Sequence, residues 1–169
     1  MNHAKRALLG AVVLGLAACA GGVRLSDAPA RQVEIPVQSR ARLVLNVDGE
    51  ARTSAAPEWQ AFRAEWEAAF KAEAAAAGTA FVWQDGPVKP LGQAGTLLAV
   101  HVLDYRQVAG SPGNAYVNAQ MRYMSLADGR PFGERNVNTV ASASPGGVAS
   151  TSARQVRAVA AEVMRDFAR

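Results

Sequence analysis

Trp59, Phe62, Trp66 and Phe70 recur at steps of three and four residues, which places all of them on one side of an α-helix. Each ring buries about 150–250 Å² when it is covered, so a helix carrying this stripe must lie against other structure. Pro57 suits a first helical position and Gly78 the residue just past the end, so the spacing predicts a helix between them. Arg63, Glu67, Lys71 and Glu73 fall mostly on the remaining surface. A partner groove would need the same stripe, but packing against a sheet is the simpler use of it.

Strand patterns flank this helix. Gln32–Gln38 alternates Val33, Ile35 and Val37 with polar residues, and Pro36, which has no N–H to donate, confines such a strand to an edge. Leu43, Leu45 and Val47 form a second alternating run, closed by Asp48-Gly49. Ala80–Trp83 reads as a short strand and Asp85–Gly95 as a loop. Thr96–Val108 is apolar at nearly every position, as expected of a strand covered on both faces in the middle of a sheet.

After a turn at Gly110–Asn114, Ala115–Met124 alternates Ala115, Val117, Ala119, Met121 and Tyr123 with Tyr116, Asn118, Gln120 and Arg122. If Ala127-Asp128-Gly129 is a three-residue loop with Gly129 left-handed, Arg122 lies opposite Glu134, Gln120 opposite Asn136 and Asn118 opposite Asn138. A slip by one residue would set Arg122 against Arg135, so the three-residue loop is preferred. Ala141–Thr151 is a Ser/Gly/Pro linker. The last helix runs from Ser152 to Phe167, with Val156, Val159, Ala160, Val163 and Phe167 as its buried stripe. Ser152 and Gln155 fit a capping box, and Arg165 and Arg169 oppose the negative end of the dipole. The order predicts an α+β, two-layer sandwich: a mostly antiparallel sheet of about 5–6 strands with two helices packed on one face.

The amino-terminal end carries a different message. Lys5 and Arg6 precede the apolar run Ala7–Leu16, and small residues follow, which is the plan of a secretory signal peptide. Leu16-Ala17-Ala18-Cys19 resembles the lipobox of bacterial lipoproteins. That resemblance implies cleavage between Ala18 and Cys19 and acylation (palmitate among the chains) of Cys19. Two or three long chains make dissociation negligible, where one alone binds marginally. In such lipoproteins an Asp after the cysteine often retains the protein at the inner membrane; Ala20 stands there instead, which implies the outer membrane. The expected division is residues 1–18 as signal peptide, 19–30 as lipidated cysteine and flexible tether, and 31–169 as a single periplasmic α+β domain. The element order behind the lipobox, with the Leu126–Phe132 turn, resembles small uncharacterised Gram-negative lipoproteins. Their domain is similar to the amino-terminal domain of TolB and to lipoprotein activators of peptidoglycan synthases.

Composition and motifs narrow the chemistry. At 50% hydrophobic and 19% charged residues, the chain is not of the disordered class. The formal charge of +4 is halved once Lys5 and Arg6 are removed, too little to bind nucleic acid by charge. Cys19 is the sole cysteine, and His101 the sole histidine beyond the signal segment, with no HExxH, so no metal or other cofactor is expected. Asp104, three residues from His101 on a regular strand, would point to the opposite face. There is no GxSxG, and Asp48/Glu50 and Glu65/Glu67 are merely two apart. The Pro145–Ser152 run precedes a helix but lacks a P-loop lysine.

What remains is a polar sheet face bearing Asn118, Gln120, Arg122, Glu134, Asn136 and Asn138, with Tyr116 near it. The expectation is a non-catalytic, lipid-anchored interaction module of the outer membrane, facing the periplasm, whose partner is an envelope protein or peptidoglycan. The alternative is a lipid-anchored envelope hydrolase using a dispersed Ser/His101/Asp set. Cys19→Ala should abolish acylation and slow processing; mass spectrometry of the mature amino terminus checks this, and a mature end other than an acylated Cys19 in the wild type contradicts it.

Overall fold

A computed structural model of the chain describes residues 23–106, 114–142 and 151–169. Its strands are β1 (Val23–Arg31), β2 (Arg42–Gly49), β3 (Ala80–Trp83), β4 (Thr96–Arg106), β5 (Asn114–Ser125) and β6 (Pro131–Ser142). Its helices are α1 (Ala51–Ser54), α2 (Trp59–Ala76) and α3 (Thr151–Ala168). The six strands form one sheet in the order β1-β6-β5-β4-β2-β3. The pairs β1–β6, β6–β5 and β5–β4 are antiparallel, while β2 runs parallel to both β4 and β3. Helices α2 and α3 share one face, so the fold is the expected α+β two-layer sandwich.

The aromatic stripe is the centre of that packing. Trp59, Phe62, Trp66 and Phe70 are all buried, facing Leu43, Leu45 and Val47 of β2 and Leu98, Val100 and Val102 of β4. Phe62 stacks flat on Tyr105 of β4, with ring centroids 4.1 Å apart at 1°. Trp66 and Phe70 stack at 5.9 Å and 13°. Helix α2 closes as its glycine predicts: Gly78 has φ +70°, Thr79 N–H donates to the Ala74 carbonyl and Gly78 N–H to that of Ala75. Pro57 is not the first helical residue. The short α1 precedes it, Pro57 lies in the turn that follows, and α2 starts at Trp59 behind Glu58.

The second face is divided between two coverings. Over β2 and β4, the 84–95 loop closes a small apolar cluster of Val44, Leu97 and Leu126, with Val88 and Met124 against it. Buried Asn46 ties that loop down, its amide donating to the carbonyls of Gln84 (2.8 Å) and Gly86 (2.9 Å). Over β5 and β6 the face is open, and it carries the alternating polar residues.

Several expectations need correction. Most of the segment expected as a tether is strand β1, paired along its length with β6 from Val23–Ala141 to Arg31–Glu134. Gln32–Gln38 is not an edge strand. Ile35 is buried and Val33 packs on the core, as the alternation implied, but the chain leaves the sheet and turns through a 3₁₀ segment at Val37–Ser39. It crosses so close over Gly133 (φ +155°) that a Cβ there would lie 2.5 Å from the Gln32 carbonyl oxygen.

The hairpin has the expected register, reached by another route. Gly129 N–H donates to the Ser125 carbonyl (2.9 Å) and Ser125 N–H to that of Arg130 (2.7 Å), so the connection is Leu126–Gly129, one residue longer than expected. A register shift between Tyr123 and Met124 compensates, and Arg122–Glu134, Gln120–Asn136 and Asn118–Asn138 face one another. The Ser152–Gln155 capping box is replaced: α3 begins at Thr151, and Gln155 donates instead to the Ala115 carbonyl of β5 at 3.0 Å. The Gly110–Asn114 turn and the Ala141–Thr151 linker lie largely outside the described residues, as do Ala18 and Cys19.

Trp66 is fully enclosed between α2 and the sheet. Trp66→Ala should cost about 3–5 kcal/mol, enough to unfold a marginal domain. Thermal melting checks this, and a variant melting within a few degrees of wild type contradicts it.

Candidate functional site

The six polar residues are brought together on the open face. Gln120, Arg122, Glu134, Asn136 and Asn138 are exposed and Asn118 is half-buried, in three adjacent cross-strand rows. The face exists because strand alternation turns Ala119, Met121, Tyr123 and Val137 into the helix-side core and their neighbours outward. Register alone would suggest an Arg122–Glu134 ion pair. Among the described residues neither side chain makes one, and none of the six side chains has a hydrogen-bond partner. Their donors and acceptors are therefore available to a ligand.

Beside this field, toward the end of β4, lies a group that sequence patterning did not assemble. His101 Nδ1 is 2.7 Å from Asp48 Oδ1 and its Nε2 3.3 Å from Glu50 Oε1. Parallel pairing of β2 with β4 sets Asp48 directly opposite His101. Carboxylates only accept, so the imidazole can donate to both only when doubly protonated, and the two carboxylates favour that form. Asp104 is on the same face as His101, not the opposite one. A register shift between Val102 and Asp104 inserts a residue and sets Asp104 opposite Asn118. There Asp104 accepts the Tyr116 hydroxyl at 2.8 Å, a bond that raises the tyrosine pKa. The sequence signal for this group was weak, since a parallel partner fifty residues away has no local signature and a bulge leaves no composition trace.

The arrangement clasps better than it catalyses. A triad histidine needs one nitrogen on a nucleophile and the other on its orienting acid. Both His101 nitrogens face carboxylates here. Among the described residues no three His, Cys, Asp or Glu side chains are placed to hold a metal ion, and no helix is long and apolar enough to cross a membrane.

Together these features define a two-layer α+β domain with one helix-covered face and one partly open polar face. No family model matches the chain, and no curated protein matches it by sequence. Solved structures match its shape. PelC from Paraburkholderia phytofirmans, solved as a dodecamer, is 12% identical and covers 86% of this chain and 97% of its own, with a TM-score of 0.53. A DUF330 protein from Xanthomonas campestris is 15% identical over 78% of this chain and 87% of its own, with a TM-score of 0.49. The lipoprotein GNA1162 from Neisseria meningitidis is 11% identical over 76% and 98%, with a TM-score of 0.43. At such identities the PelC likeness is one of fold.

The His101 clasp has a definite pH signature. Burial alone would lower the imidazole pKa, but hydrogen bonds and charge from Asp48 and Glu50 outweigh it and hold it above the ordinary 6.5. A raised folded pKa contributes stability that is complete below about pH 6.5 and disappears as pH rises through the folded value. His101→Gln should flatten the fall in melting temperature as pH rises above about 6.5. Nuclear magnetic resonance of the wild-type imidazole should titrate above the ordinary value; a midpoint below it contradicts the clasp.

Proposed function

We propose that this chain is a lipid-anchored module of the outer membrane, facing the periplasm, that acts by docking rather than by turnover. On this reading it is an accessory or scaffold of a cell-envelope complex, and its partner is an envelope protein or peptidoglycan. The observation that carries the docking role is the open face: six polar side chains in register, none committed to another described residue. Amides pair with hydroxyls and peptide groups, and the Arg122 fork suits a carboxylate. The anchor rests on the lipobox-like Leu16–Cys19 segment. The resemblance to the TolB amino-terminal domain and to activators of peptidoglycan synthases agrees with an accessory role.

The test is site-specific photo-crosslinking in intact cells. A crosslinker at Gln120 should give a discrete adduct, and one at exposed Lys71 on α2 should not. Arg122→Ala should lower the Gln120 adduct several-fold while melting stays within a few degrees, because an exposed side chain without an ion pair adds little to folding. Paired Asn118→Ala and Asn138→Ala changes should act in the same direction. Unchanged adducts in both variants contradict docking through this face.

A further inference from the structure

A cleft of about 790 Å³ opens on the helix side of β6, away from the polar face. Its walls are the 31–36 segment with Arg40, the β6 residue Arg135, and the last turns of α3 with Asp166 and Arg169. The segment is held there by Gly133, whose missing side chain lets Gln32 and Val33 cross, and by Glu34 N–H donating to the Phe132 carbonyl at 2.9 Å.

The floor of the cleft is a buried ion pair. Arg135 Nη2 lies 2.6 Å from Asp166 Oδ1, with side chains 10% and 3% exposed. The Tyr123 hydroxyl donates to Asp166 Oδ2 at 3.3 Å, and Arg169 Nη1 lies 3.5 Å from Oδ1. One carboxylate is thus already served by two arginines and a tyrosine. Two further arginines stand at the rim. Arg40 fixes its Nε on the Ile35 carbonyl at 2.9 Å, which leaves both of its terminal nitrogens available. Arg31 has no hydrogen-bond or ion-pair partner among the described residues. Four arginines therefore line the cleft against two lining carboxylates, Glu34 and Asp166, with Glu162 a third at 3.8 Å from Arg135, so positive charge exceeds negative around a space of ligand size.

We propose that this cleft binds an acidic saccharide, with the sugar carboxylate held by Arg31 and Arg40 and a ring hydroxyl donating to Glu34. The mixed lining selects this class. Guanidinium forks pair with carboxylate and phosphate alike, but inorganic phosphate carries its one or two O–H donors on the same small anion and would leave most of the cleft of about 790 Å³ empty. An acidic peptide offers only main-chain N–H donors, several bonds away from its side-chain carboxylates, while a uronic acid has hydroxyls on the ring that bears its carboxylate. The site is distinct from the docking face, because none of its lining residues is among the six of that face, although Arg31 pairs with Glu134 across β1–β6.

Calorimetry on the processed, detergent-solubilised chain with trigalacturonate as probe tests the proposal. Trigalacturonate should bind at least tenfold more tightly than neutral galactotriose, inorganic phosphate or a triglutamate peptide. Arg31→Ala with Arg40→Ala should weaken it tenfold or more with unchanged melting, while Arg122→Ala should leave it unaltered. Undetectable trigalacturonate binding, equal binding of phosphate or triglutamate, or an unaffected double variant each overturns the proposal. An effect of Arg122→Ala on trigalacturonate would overturn the separation of the two sites.

Discussion

The row of rings that α2 lays across β2 and β4 constrains everything else in the molecule. With Trp59, Phe62, Trp66 and Phe70 buried on one side, the helices are committed to that side of the sheet. The second face must then be covered by something smaller or tolerate water. The structure does both: the 84–95 loop closes over the apolar patch of β2 and β4, and β5 and β6 present amides and charges. Polar residues on the open hairpin are thus a consequence of where the rings went.

Edges and ends of the sheet are held by polar devices of different worth. Near β3, Arg63 donates to the Val47 carbonyl and to Asp85, while its guanidinium lies 5.0 Å from the centre of the Trp83 ring. That network is largely solvent-exposed, so it fixes the edge more than it stabilises the whole. The Arg135–Asp166 pair is different in kind. Burial raises the Asp166 pKa, and Arg135 and Arg169 pull against that rise. Removing one partner would strand a buried charge, so this pair sets the position of the α3 carboxy-terminal turn on β6.

Legibility followed sequence distance. The hairpin register could be read because β5 and β6 are neighbours and charge repulsion vetoed the alternative, and even an off-by-one loop was absorbed by the register shift after Tyr123. Periodicity located α2 and its Gly78 terminus, which depend on local backbone and one apolar stripe. It failed where a pattern reports burial without pairing. Val33 and Ile35 do face the core, yet their segment has left the sheet, and the weaker pattern of Val23 and Leu25 belongs to a true strand. The His101 clasp needed a parallel partner from β2, and the face of Asp104 needed a bulge, neither of which alternation encodes. The cleft was invisible for the same reason: its arginines come from four separate parts of the chain.

Strand β1 also decides how the domain would carry a load. On the anchored reading, residues 20–22 alone separate Cys19 from Val23, a reach of at most about 14 Å. Pull from the bilayer would enter the domain at Val23 and run along the β1 axis, antiparallel to β6. A partner dragging the far end would therefore load the rungs from Val23–Ala141 to Arg31–Glu134 in shear, all at once, instead of peeling them one by one. The edge strand would serve as a mechanical splice between membrane and sheet, and β6, which carries Glu134, Asn136 and Asn138, would feel the tension first.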